Sequence, residues 1–181
     1  QDEYVPISEN ITKQLNYMSK TIDDFRDFFV PSKDKVTFNT CSVIEEVYEI
    51  LKPQFVNKSI NFEMKCHDIK CYGHPSEFKQ VIINIINNAK DAIVSNEIID
   101  GKITVSIRRI NQKVKIMIKD NGGGIDKAVI SKIFNPYFTT KFKSKGTGIG
   151  LYMSKMIIEQ SMNGELKVKS ISGNTIFTII L

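Results

Sequence analysis

Apolar residues open the chain at a helical interval: Ile7, Ile11, Leu15, Met18, Ile22, Phe25 and Phe29 are three or four positions apart. Such spacing lines one helix face and, from Ile11 onward, approaches the seam of a coiled pair. Pro31 stops it, because proline lacks the N–H that would continue the ladder. The stripe could lie on the core of its own domain. The proline break favours instead one arm of a helical hairpin that pairs with another chain, with a domain boundary between residues 1–31 and 32–181.

Past the break the period changes. Residues 36–40 alternate as a strand, and 42–55 carry a helix with Val43, Val47, Ile50 and Leu51 on one side. Residues 60–66 alternate apolar with polar, a half-buried strand, with a short partner expected near 69–72. Pro75 suits the first turn of a long helix reaching about Val94. Two strands, 103–110 and 114–119, meet at a tight Asn111-Gln112 turn. A short helix over 127–134, another over 149–161, and a hairpin of 165–171 with 175–181 complete the pattern. Helices among mostly antiparallel strands predict an α/β chain, built as a two-layer α+β sandwich with helices on one sheet face and the N-terminal helix outside it.

Length and composition narrow this picture. With 181 residues, 41% hydrophobic and 25% charged, the chain suits one domain with a proper core and one appendage. No apolar run approaches a membrane span and no secretory pattern opens the chain, while three cysteines, an odd count, argue for a reducing compartment. A cytoplasmic domain is expected. The start at Gln1 and the end inside an apolar run suggest a piece of a longer protein, with a membrane anchor elsewhere left open. The formal charge of +5 suits nucleotide phosphates, nucleic acid or neither. Lys141, Lys143, Lys145 and Lys155 occupy a stretch without acids, which puts a good share of the excess around one glycine-rich segment.

Four features carry chemistry, in chain order. The long helix sets Asn84, Asn88 and Asp91 on one face among Val81, Ile82, Ile85, Ile86 and Ala89. Asparagine is a poor residue for a helix interior, and an amide oxygen aimed from such a face suits Mg²⁺ held with phosphates. Next, Asp120-Asn121-Gly122-Gly123-Gly124-Ile125 follows a strand and precedes a helical pattern, so it is more than a hairpin turn. A carboxylate there, beside glycines that admit a flat ring, suits an adenine amino group. Phe134-Asn135-Pro136-Tyr137-Phe138-Thr139-Thr140-Lys141 comes third, and Gly146-Thr147-Gly148-Ile149-Gly150-Leu151 fourth. Alternating glycines before a helix expose N–H groups that attract anions.

These four segments resemble the N, first glycine, F and second glycine boxes of sensor histidine kinases. Those kinases share an ATPase superfamily with gyrase B subunits, large heat-shock chaperones and mismatch-repair ATPases. The resemblance covers about residues 36–181 and implies a Bergerat-type ATP-binding fold. It implies that Asn88 holds Mg²⁺, that Asp120 binds the adenine amino group, and that Gly122, Gly124 and Ile125 shape the adenine pocket. Gly146, Thr147, Gly148, Ile149, Gly150 and Leu151 would frame the triphosphate. Asn84, Asp91, Thr139, Thr140, Lys145 and Thr175 would complete the nucleotide site. Residues 131–145 would be a mobile lid anchored by Phe134, and Asn84 and Lys141 would assist transfer. The Thr139-Thr140-Lys141 triplet before Gly-Thr-Gly is most similar to the nitrogen-regulation subgroup.

The implied activity is transfer of the ATP γ-phosphate to a histidine on a dimerisation hairpin. A homodimer of the full-length protein, a response regulator as onward partner, and no nucleic acid follow from the same likeness. Residues 18–29 look like the second hairpin helix, yet its phosphoacceptor histidine is absent, since the only histidines are His67 and His74. An ATP-hydrolysing relative is one alternative, disfavoured because Asn84 stands where those relatives carry a glutamate base. A non-catalytic nucleotide-sensing scaffold is another, disfavoured by the intact glycines and Asp120. Cys66, His67, Cys71 and His74 could suggest zinc, but strand geometry splits the adjacent pair and the spacing matches no common finger.

Overall fold

A computed structural model describes Thr12, Leu15, residues 34–141 and residues 146–181. Thr12 and Leu15 are helical and exposed. The rest of the expected dimerisation helix lies outside the described residues, as do Lys143 and Lys145.

The elements run β1 (Val36–Asn39), α1 (Thr40–Asn57), β2 (Asn61–Lys65), β3 (Lys70–Gly73), α2 (Pro75–Ser95), β4 (Lys102–Ile110), β5 (Lys113–Asp120), α3 (Lys127–Ile130), α4 (Gly150–Met156), β6 (Glu165–Ile171) and β7 (Asn174–Ile180). A π turn, Ile157–Ser161, continues α4. Asn39 caps α1, its side chain accepting from the Cys41 N–H at 2.9 Å. Pro75 occupies the first turn of α2, where its missing N–H costs nothing.

Five strands form the main sheet in the order β2-β4-β5-β7-β6, parallel only between β2 and β4. β1 and β3 make a separate antiparallel pair. The expected pairing of 69–72 with 60–66 is therefore corrected. Ile69 C=O accepts from both the Thr40 N–H and hydroxyl, at 3.0 and 2.8 Å, and His67 C=O accepts from the Cys41 thiol. These bonds hold the connection over the start of α1, which carries β3 to β1. The expected helix over 127–134 also shortens, to one turn. Beyond it, Lys132 N–H reaches Val129 C=O and Asn135 N–H reaches Lys132 C=O, three-residue closures tighter than a helix.

Alternation along the strands decides the layers. Ile103, Val105, Ile107, Ile116, Ile118, Phe177 and Ile179 are buried beneath α2, whose Phe78, Val81, Ile82, Ile85, Ile86, Ala89 and Ile93 share one face. The opposite sheet face is open, and Lys65, Lys102, Arg108, Lys113, Lys115, Lys119, Lys167 and Lys169 alternate onto it against Glu63 and Glu165. That face exceeds the whole chain's +5, so the basic excess belongs mainly to the open sheet. In the glycine-rich segment Lys141 is paired with Asp91, and Lys155 lies over the Phe134 ring near Glu159.

Candidate functional site

The two-layer packing leaves the last turns of α2 lying across the ends of β4, β5 and β7. Asp120, the final residue of β5, registers with Ile103 and Thr175 and faces inward at 3% exposure. Its Oδ1 accepts the Gly122 N–H at 2.9 Å, and the Thr175 hydroxyl donates to the same carboxyl. Burial outweighs both donors and pushes its pKa up to about 6. A carboxylate kept dry at a strand end is a strong acceptor for an N–H donor.

The loop after Asp120 is pinned from three sides. Asn121 Oδ1 accepts the Lys102 N–H at 2.7 Å and its Nδ2 donates to Asp100 C=O at 2.8 Å. Asn96, just past α2, donates from Nδ2 to Gly122 C=O at 2.6 Å. Ser170 Oγ accepts the Ile125 N–H at 2.7 Å. Gly122 lies so close to α2 that a Cβ would stand 2.8 Å from Ala92 Cβ and 2.9 Å from Ile93 N. Its absence of side chain serves the approach of loop to helix, and Gly124, at φ +79, serves the turn itself.

One turn back along α2, Asn88 and Asp91 meet the F box. Lys141 Nζ donates to Asn88 Oδ1 at 3.0 Å and to Asp91 Oδ2 at 2.8 Å. Thr139 Oγ1 accepts the Lys141 N–H at 3.1 Å. A further turn back, Asn84 Nδ2 donates to the buried Ser154 Oγ at 2.8 Å, which ties α2 to α4. Any side chain on Gly150 would overlap Asn84 Oδ1. Gly148, at φ +70, passes the F box so closely that a Cβ would sit 2.5 Å from the Tyr137 carbonyl carbon. Phe134 packs edge-on against Phe177 with ring centres 6.5 Å apart, which roots the F box in the core.

The structure thus gathers Asn84, Asn88, Asp91, Asp120, Gly122, Gly124, Lys141, Gly148, Gly150 and Thr175 along one edge of the sandwich. Ile149 is 2% exposed and Thr147 8%, so both side chains are interior, while Leu151 is half-buried and Thr140 is exposed. Lys145 lies outside the described residues. Sequence reasoning did not pick out Asn96, Ser154 or Ser170, which hold the loops and helices in place. Only Asn96 had a signal, as an amide residue closing a long helix. Among the described residues no group of three or more His, Cys, Asp or Glu gathers as a metal site. No described helix is long and apolar enough to cross a membrane.

Residues 73–181 match the family profile described as histidine kinase-, DNA gyrase B- and HSP90-like ATPase. The signal transduction histidine-protein kinase AtoS of Escherichia coli (strain K12) is 31% identical over 186 residues, which take in 99% of this chain and 29% of AtoS. The chain therefore spans under a third of that relative. The solved catalytic domain of histidine kinase ThkA superposes with a TM-score of 0.71 at 28% identity, covering 82% of this chain and 95% of that one. A second ThkA structure, in complex with the response regulator protein TrrA, shares the fold at 22% identity and a TM-score of 0.75, covering 99% of this chain and 51% of that one.

Proposed function

Because the chain belongs to the histidine kinase-, DNA gyrase B- and HSP90-like ATPase family, we propose that it is the ATP-binding catalytic domain of a two-component sensor histidine kinase. It moves the γ-phosphate of ATP to a histidine on a dimerisation hairpin. The observation that carries this over hydrolysis is the state of the acids on α2. Only Glu77 and Asp91 are acidic along that helix. Glu77 accepts from the Ser161 hydroxyl and Asp91 is paired with Lys141, while Asn84 is an amide bonded to Ser154. A water nucleophile would find no free base there, whereas a histidine nucleophile brings its own lone pair.

Asp120 accepts the adenine amino group, and Gly122, Gly124 and Ile125 bound the ring. Asn88 offers a hard oxygen for Mg²⁺, and the fit is supported by the cation already drawn to that oxygen. Gly146, Thr147, Gly148 and Gly150, with Thr139, Thr140 and Lys141, border the phosphates. ATP with Mg²⁺ supplies the phosphoryl group and neutralises part of its charge; the protein's contribution is placement and a fixed field. The partners are the hairpin of a homodimer and a response regulator, and the domain works on the cytoplasmic side.

The test is to titrate ADP with and without Mg²⁺, then add labelled ATP and a separately made hairpin bearing the acceptor histidine. Acid-labile phosphate on the hairpin is expected. Free phosphate released without the hairpin would make the chain a hydrolase, and nucleotide binding with neither product would make it a sensing scaffold.

A further inference from the structure

The ammonium of Lys141 sits where two side-chain oxygens of α2 converge, 3.0 Å from Asn88 Oδ1 and 2.8 Å from Asp91 Oδ2. Asn88 and Asp91 are three residues apart on one helix face, so this convergence is built into the helix. The other side of Asp91 is also held: Lys90 Nζ lies 3.7 Å from Oδ1 and is itself anchored by Asn87 Oδ1 at 3.0 Å and Gln54 Oε1 at 2.6 Å. Oδ2 is thus the oxygen presented to the cleft, beside the amide oxygen of Asn88. One carboxylate and one amide carbonyl are hard donors of the kind a small divalent cation takes, and a cation is what they hold.

We propose that Asp91 joins Asn88 in the divalent-cation site of this domain and that Lys141 is its internal competitor. The inference rests on the nucleotide reading above. A metal and the ammonium take the same two oxygens, so each excludes the other. Lys90 stays on Oδ1 throughout, and Oδ2 passes from one cation to the other without facing the partly covered cleft unpaired. The displaced lysine does not travel far. Its stem already runs along the second glycine box, with Cδ 3.4 Å and Cβ 3.6 Å from a Cβ built on Gly146. Arrival of the metal therefore turns the lysine toward the glycines that border the phosphates, and metal binding and lysine delivery become one exchange.

Mn²⁺ binding to the whole chain, followed by electron paramagnetic resonance without nucleotide, tests this. Lys141→Met should tighten Mn²⁺ binding about two- to fivefold, the range expected when a partly exposed ion pair no longer has to be broken first. The gain should vanish in the Asp91→Asn, Lys141→Met double variant. Mn²⁺ binding that Lys141→Met leaves unchanged or weakens, or a gain that survives loss of the Asp91 carboxylate, would overturn the exchange. ADP binding by the unsubstituted chain in chelator judges the nucleotide reading separately, because it is read without the metal and without either substitution.

Discussion

Asp120, proposed above to accept the adenine amino group, would combine two demands that oppose each other in that role. It must be dry to bind strongly, and dryness opposes its charge. Its pKa is raised from 3.8 to about 6 by burial, so the folded state holds the proton more tightly than the unfolded one. Stability is therefore lower above pH 6, where the buried group is ionised, and recovers as pH falls from about 6 toward 4. The size of that effect is on the order of 2–3 kcal/mol. Asp120→Asn should accordingly melt higher than the parent at pH 7.5, with the difference closing by pH 4 in thermal denaturation. Yet the same substitution should cost about 1–3 kcal/mol of nucleotide affinity, because an amide turns donor atoms toward the adenine amino group. ADP affinity of the parent should also weaken as pH falls through 6, while that of Asp120→Asn stays flat there. Parallel pH profiles for the two proteins would remove Asp120 from the adenine site. Gly148 is a residue of the opposite kind, needed for what it lacks. Gly148→Ala forces a methyl into the Tyr137 carbonyl and holds φ +70 without glycine's freedom, so a loss of more than about 1 kcal/mol is expected. Unchanged urea denaturation would show that the F box can retreat.

Between elements, the sequence was most readable where periodicity had one meaning. α2, β4, β5 and the β6–β7 hairpin fall within a residue or two of their expected bounds, because long apolar faces leave one way to bury them. The four boxes were legible as residue types in order. What stayed hidden was long-range bonding. No local pattern says that Ile69 C=O will take two donors from Thr40 and steer β3 to β1, or that Ser154, 70 positions away, will receive Asn84. Asn96 shows how such hidden contacts bear on the site. Its amide joins the end of α2 to Gly122 C=O, so the helix fixes the height of the glycine loop that follows Asp120. Asn96→Ala should cost about 1–2 kcal/mol of stability and weaken ADP binding with the fold retained. Full ADP affinity in that variant would mean that Asn121 and Ser170 hold the loop unaided.

Across the whole domain, α2 sets His74 at its start and the candidate site along its later turns. His74 caps the start of α2 and Asn96 its end, with Asn88 fourteen residues beyond His74. At 1.5 Å per residue that is about 21 Å along the helix axis. Glu77 and Ser161 brace the starting end, and Asp120 with its loop meets the finishing end. His67 lies in the connection that the start of α1 holds in place, since its own carbonyl accepts from Cys41. A phosphoryl acceptor must come in line with the γ-phosphate at near-contact distance, and neither histidine can do so while the sandwich stays folded. The chain alone should therefore bind ATP without gaining phosphohistidine, and a supplied hairpin with its histidine should become labelled. Mass spectrometry after incubation with ATP at alkaline pH, where phosphohistidine survives, reads both. Phosphate on His67 or His74 of the isolated chain, at a rate independent of protein concentration, would mean that the domain folds its ends together in a way this rod-like helix forbids.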